Sequence, residues 1–113
     1  MIDKMLTAAG ITHRQGRFPE PPAETYAVYF DDITRDGADP VEPVASTRLP
    51  GIYHHDARVE IYEPRPDPEA EAAFEDQLDA AGLDWGKEDR VWLQDVRRYQ
   101  VLYTFTFTNK RRT

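Results

Sequence analysis

The sequence contains no cysteine, and this absence excludes disulfides and thiol chemistry. The only serine, Ser46, lies outside any G-x-S-x-G pattern, so a serine-nucleophile elbow is also missing. The six glycines are scattered and form no phosphate-binding loop. The first residues lack the long apolar run of a signal peptide or membrane span, so we expect a soluble, intracellular protein. Together these absences argue against the common enzyme classes.

The 113 residues predict one globular domain, 1–113, because apolar residues make up 40% and charged residues 31% of the chain. A domain of this size has little room for a deep cofactor cleft, and we expect no cofactor. The net charge is −7, so attraction to nucleic acid or to an anionic membrane is not expected.

Two groups of residues could suggest a metal site. His54, His55 and Asp56 are adjacent, but neighbouring residues of a strand point to opposite faces and cannot easily share an ion. The second group lacks the spacing of a calcium loop, and aspartate is common in turns for backbone reasons. Its members surround Gly37: Asp31, Asp32, Asp36 and Asp39. We therefore predict no metal site and no enzymatic activity.

The pattern of apolar residues predicts an α+β fold, with a small antiparallel or mixed β-sheet and two helices packed on one face. An amphipathic helix opens the chain and stops at Gly10, and residues 11–18 are irregular or a weak strand. Alternating residues predict the strands 25–32, 52–62 and 98–107, with a further short strand between Trp85 and Leu93. A long loop is predicted at 33–51 and a frayed tail at 109–113.

The second helix is predicted from Asp67 to about Ala81, with Asp67 as the N-cap and Pro68 at the first helical position. Its polar face carries acidic residues and no lysine or arginine: Glu69, Glu71, Glu75, Asp76 and Asp79. The like charges at i, i+4 cost about 0.2–0.5 kcal/mol for each pair. This face is either a solvated acidic surface, or it meets a basic surface or lines a passage that repels polyanions.

Several short runs of this sequence resemble a known family. They are AVYF at 27–30 followed by GAD at 37–39, RVEIY at 58–62, DPEAE at 67–71, LDAAGL at 78–83 and RYQVLY at 98–103. In these runs the chain resembles the tail terminator, or tail completion, proteins that join head and tail in long-tailed phages and prophages. The resemblance spans about Tyr26 to Phe107 and consists of core residues. The segment 40–51 departs from the family because it looks longer than usual.

The resemblance implies a tail-terminator-like α/β sandwich and a homo-oligomeric ring, commonly a hexamer, that caps the tail tube. The implied partners are the major tail tube protein and the head connector or neck proteins, with DNA passing through without specific binding and no membrane involved. The implied location is the tail neck of the virion, with assembly in the host cytoplasm. The candidate interface or channel residues are Asp36, Asp39, Arg48, Glu71, Glu75 and Asp79.

Other functions remain open at the level of sequence. The chain could be another neck component, such as a head-closure or connector protein. It could instead be a cellular adaptor or inhibitor that binds a basic partner through its acidic helix. A small metal-dependent hydrolase would depend on His54, His55 and Asp56 alone.

Overall fold

The protein is described by a computed structural model that covers residues 1–36 and 52–109. Within these ranges the chain forms two helices and a six-stranded sheet, which confirms the predicted α+β class. The elements are α1 (Ile2–Ala8), β1 (Thr12–Gln15), β2 (Tyr26–Asp36), β3 (Ile52–Glu63), α2 (Pro68–Ala80), β4 (Trp85–Lys87), β5 (Val91–Leu93) and β6 (Arg98–Asn109). No helix in the described ranges is long and apolar enough to cross a membrane.

The sheet is mixed, with the order β1-β2-β3-β6-β4. β1 pairs with β2 in parallel, while β2, β3 and β6 pair in antiparallel fashion. β4 and β5 border the same side of β6, where Trp85 lies opposite Phe105 and Val91 lies opposite Gln100. The pairing register changes between these two short strands, so 88–90 interrupts the outer edge as a bulge does.

The core lies between the helices and one face of the sheet. Alternation along β6 buries Val101, Tyr103 and Phe105, and this confirms the predicted core face of the last strand. Phe74 and Leu78 of α2 pack onto that face and are completely buried. Residues Ile2, Met5 and Leu6 of α1 extend the same core, as the helical spacing predicts.

The cap of α2 positions the whole helix. Asp67 Oδ1 accepts a hydrogen bond from the backbone N–H of Ala70 at 3.2 Å, and Pro68 occupies the first turn, as predicted. The second oxygen of Asp67 accepts from the hydroxyl of Thr25 at 2.6 Å. Since Thr25 lies directly before β2, the cap also joins the start of the helix to the sheet.

Strand pairing corrects two predicted boundaries and decides between two predicted alternatives. β2 continues through Ile33 to Asp36 because these residues pair with β3, so the predicted loop 33–51 begins later. Asn109 pairs with Tyr53 and belongs to β6 rather than to the predicted tail. The weak strand expected within 11–18 is β1, held by its parallel pairing with β2. The remaining parts of the predicted loop and tail, 37–51 and 110–113, lie outside the described residues.

Candidate interaction surfaces

Glu71 of the predicted acidic stripe is buried rather than solvated, with only 4% of its surface exposed. Arg90 Nη2 donates to Glu71 Oε2, and Lys87 Nζ lies 3.0 Å from Glu71 Oε1. Lys87 also contacts Glu75 Oε2 at 2.7 Å. The cations that α2 lacks are therefore supplied by β4 and the segment after it, which offsets the repulsion expected along the helix.

Glu63, the last residue of β3, belongs to the same group of charged side chains. Its side chain is fully buried, and Arg90 Nε donates to Glu63 Oε1 at 3.0 Å. Glu63 Oε2 has no hydrogen-bond partner among the described residues. Burial, followed by the neighbouring Glu71 carboxyl group, raises the pKa of Glu63 to about 7. Burial also acts on Glu71 and opposes its ionisation, but the interactions of Glu71 with Glu63, Arg90 and Lys87 outweigh burial and lower the pKa of Glu71.

The other two members of the stripe also have intramolecular partners. The Tyr103 hydroxyl donates to Glu75 Oε2 at 2.6 Å, and burial is the main cause that raises the pKa of Tyr103. Trp85 Nε1 donates to Asp79 Oδ1 at 2.8 Å. Glu71, Glu75 and Asp79 thus all contact residues of the polypeptide after α2.

The remaining predicted interface residues lie away from α2 or outside the description. Asp36 is the last residue of β2, opposite Ile52, and only its backbone is described. Asp39 and Arg48 lie outside the described residues. The interface roles of all three stay predictions.

The neighbouring histidines occupy opposite faces of β3, as the strand geometry requires. His54 is exposed, whereas His55 is 1% exposed and stacks on Phe107 with ring centroids 4.2 Å apart. His55 Nδ1 lies 2.9 Å from Asp31 Oδ2, and Nε2 lies 3.0 Å from Asn109 Oδ1. Among residues 1–36 and 52–109, no cluster of three or more His, Asp or Glu side chains could hold a metal ion.

The face of the sheet opposite the helices carries a groove of about 350 Å³, which we call the open-face groove. Its floor is aromatic, since Tyr26 and Tyr62 stack at 5.0 Å and Phe18 meets Tyr26 edge-on at 5.4 Å. The lining residues are Arg17, Phe18, Pro21, Tyr26, Val28, Phe30, Arg58, Glu60, Tyr62 and Val96. The wall formed by 17–21 has no periodicity, and this is why the sequence did not reveal the groove.

Two arginines give the open-face groove its charge. The Arg58 guanidinium lies 4.5 Å from the centre of the Phe30 ring, and its Nε lies 3.0 Å from Glu60 Oε2. Arg17 is exposed and makes no hydrogen bond or ion pair with another described residue. Arg98, on the same face, donates to the backbone oxygen of Pro22 at 3.3 Å and so fastens the segment beside the groove.

The outward side of α2 has the opposite charge. We define the outer face of α2 by its exposed residues Glu69, Ala72, Asp76 and Ala80. The whole segment 67–84 contains no lysine or arginine. Because α2 covers the other side of the sheet from the groove, acidic and basic surfaces lie on opposite sides of the molecule.

No protein-family model matches this chain, and no curated protein matches it. Among solved structures, the chain is similar to a chain of the structure described as the virion of native gene transfer agent (GTA) particle. The alignment covers 90% of this chain and 81% of the other, with a TM-score of 0.54 and 14% sequence identity. A likeness at this identity shows a shared fold.

Proposed function

We propose that this protein is a structural subunit of a phage-like virion. The observation that carries the proposal is the fold shared with a chain of a gene transfer agent virion over 90% of the present sequence. Within such a particle, we propose that the chain forms the ring that caps the tail tube and joins it to the head connector. The short runs that resemble tail terminator proteins support this more specific role.

The distribution of charge supports assembly into a ring. The acidic outer face of α2 and the arginines of the open-face groove lie on opposite sides of the sheet. A subunit with two different, complementary surfaces favours head-to-tail contacts, which close into a ring when the rotation between neighbours permits.

The proposed ring has a central channel through which DNA passes. An acidic channel wall would not bind the DNA. Such a wall makes no favourable contact with phosphates and releases no counterions from the DNA. Glu71 and Glu75 already pair with Lys87 and Arg90, so they add little net charge to a channel. We propose Asp36, Asp39 and Asp79 as the channel acids, and Arg48 as a residue of a subunit contact.

The geometry of His55 and Asp31, the pair in the described ranges that most resembles catalytic residues, is consistent with a non-enzymatic role. His55 and Asp31 resemble part of a catalytic triad, but both imidazole nitrogens of His55 are engaged and the ring is 1% exposed. A general base must reach the proton that it removes. Since His55 is enclosed, its contacts fit a structural role.

Electron microscopy and light scattering of the purified chain, alone and with the major tail tube protein, test this function. We expect rings of uniform size, or rings that form at the ends of tubes when tube protein is added. The proposal would be contradicted if the chain stays monomeric at high concentration and binds neither the tube protein nor the head connector. Binding to the head connector without binding to tubes would instead assign the chain to head closure.

A further inference from the structure

The open-face groove has a shape and chemistry that restrict what can occupy it. Its floor contains Val28 and the ring of Tyr26, so it is largely apolar. These two residues are only 6% and 4% exposed, so the floor is already well packed. Arg17 and Arg58 flank this floor, and Glu60 is the only acid in the lining. An occupant must therefore present small apolar groups to the floor and carboxylates to the arginines.

The outer face of α2 meets both requirements. Glu69, Ala72, Asp76 and Ala80 recur at helical spacing and form one exposed line. The alanine methyl groups allow the helix backbone to approach an aromatic floor closely. The two carboxylates lie about 10 Å apart along the axis, at ~1.5 Å per residue, so they can meet two separate cations.

The helix that meets this groove must belong to another molecule. Within one subunit, α2 packs on the opposite face of the sheet through Phe74 and Leu78. Its outer face therefore points away from the subunit's own groove. A contact between α2 and the groove uses different surfaces on the two partners, so it is heterologous and repeats from copy to copy.

We propose that the outer face of α2 in one copy seats in the open-face groove of the next copy. In this contact, Glu69 and Asp76 meet Arg17 and Arg58 of the neighbouring subunit. The inference rests on the ring of the proposed function and names the surfaces that join its subunits. The remaining charges of α2 that face β4 stay within each subunit.

Charge reversal on either side tests the contact in the full chain. Sedimentation should show that Arg17→Glu with Arg58→Glu, or Glu69→Arg with Asp76→Arg, weakens association at least about tenfold, because like charges then face each other. Mixing the two variants should restore association, since each reversed surface then meets a complementary one. All four substitutions in one chain should restore it as well. Lys4→Glu with Arg65→Glu is the matched control, because both residues are exposed and neither lines the groove.

A second variant guards against a folding defect. Arg58 contacts Phe30 and Glu60, so its reversal can disturb the sheet. Arg17→Glu alone breaks no hydrogen bond or ion pair with a described residue, and we expect it to weaken association about three- to tenfold with an unchanged melting temperature. If both charge-reversed variants form rings as readily as the wild-type chain does, this interface is wrong, whereas the proposed function still stands. A wild-type chain that never associates, even with tube protein, would overturn both.

Discussion

Two clusters of polar side chains, each built around a buried polar residue of β3, lie at opposite ends of that strand, and their hydrogen-bonding groups are satisfied to different degrees. The glutamate cluster consists of Glu63, Glu71 and Arg90, with Lys87 and Glu75 at its edge. The histidine cluster consists of His55, Asp31 and Asn109. In the histidine cluster both ring nitrogens have partners, whereas in the glutamate cluster two carboxylates share one arginine and Glu63 Oε2 has no partner among the described residues.

The difference reflects what each cluster joins. The histidine cluster links the paired strands β2, β3 and β6, whose backbones are already fixed by their hydrogen bonds. The glutamate cluster attaches the interrupted outer edge to α2 and β3, because Arg90 lies between the short strands β4 and β5. We infer that the edge depends on its charged contacts more than the centre of the sheet does.

The largest effect is expected from Arg90→Met, which removes the cation between two buried carboxylates. Removing one partner of a buried ion pair costs about 3–5 kcal/mol, and we expect the lower end here, because Arg90 is partly exposed and Lys87 still pairs with Glu71, so only the buried Glu63 loses its partner. Urea unfolding should show a loss of this size. Arg65→Met is the control, since Arg65 is exposed and makes no ion pair with a described residue. Equal stability of the two variants would contradict the importance of the glutamate cluster.

A smaller loss is expected from Asp31→Ala in the histidine cluster. The buried His55 Nδ1 would lose its partner, and an unsatisfied buried polar group costs about 1–3 kcal/mol. The matched control is Asp32→Ala, one residue away on the other face. Asp32 is exposed and lies opposite Asp56, so its removal relieves repulsion and should leave stability unchanged or slightly higher. Thermal unfolding of both variants compares the two faces of β2 directly, and a similar loss in both would remove the distinction.

The elements of this fold were predictable because they follow from local rules. The cap at Asp67, the stripe of α2 and the alternation of β6 each depend on residues within one or two turns or along one strand. The glutamate cluster was not predictable, since Glu63, Glu71 and Arg90 meet only through sheet register and helix packing. One local signal was present: Phe74 and Leu78 follow Glu71 at i+3 and i+7, which places Glu71 on the buried stripe.

The candidate surfaces could be predicted from the sequence only in part. Alternation placed apolar residues on both sides of β2, which indicates a strand with two covered faces. The groove itself requires the irregular segment 17–21 to fold back over that strand, and no periodic pattern encodes this. The cations that pair with α2 could not be predicted, because Lys87 and Arg90 lie after the helix in an acidic stretch that has no periodic pattern.

The dependence of stability on pH distinguishes the clusters further. The pKa of Glu63 rises from 4.5 in the unfolded chain to about 7 in the folded one, so the folded state binds more protons between these values. Its stabilising contribution is complete below about pH 4.5 and is lost as pH rises through about 7, with a slope of up to ~1.4 kcal/mol per pH unit. Glu71 acts oppositely: its lowered pKa stabilises the fold above 4.5, and this contribution is lost in acid.

Glu63→Gln removes the titrating group but keeps its shape. We expect the decline in stability between pH 4.5 and 7 to flatten in this variant, measured by urea unfolding at a series of pH values. Asp31→Ala should keep the decline, because it leaves Glu63 and its partners untouched. A decline that persists in Glu63→Gln would assign the pH dependence to another group.

The smallest effect is expected at the edge of the glutamate cluster, from Tyr103→Phe. The variant loses the hydrogen bond from the hydroxyl to the Glu75 carboxylate, and we expect a loss of about 1.5 kcal/mol, the low end for hydrogen bonds to charged groups. The cost stays low because Lys87 still pairs with Glu75, so no charge becomes isolated. Tyr62→Phe is the comparison on the open face, where the hydroxyl donates to Glu60 and accepts from Gln100, so both hydrogen bonds are lost. A Tyr103→Phe loss as large as that of Arg90→Met would mean that the hydroxyl, and not the arginine, organises the cluster, and the edge would then depend on the hydrogen bond to Glu75 more than on the ion pairs of Arg90.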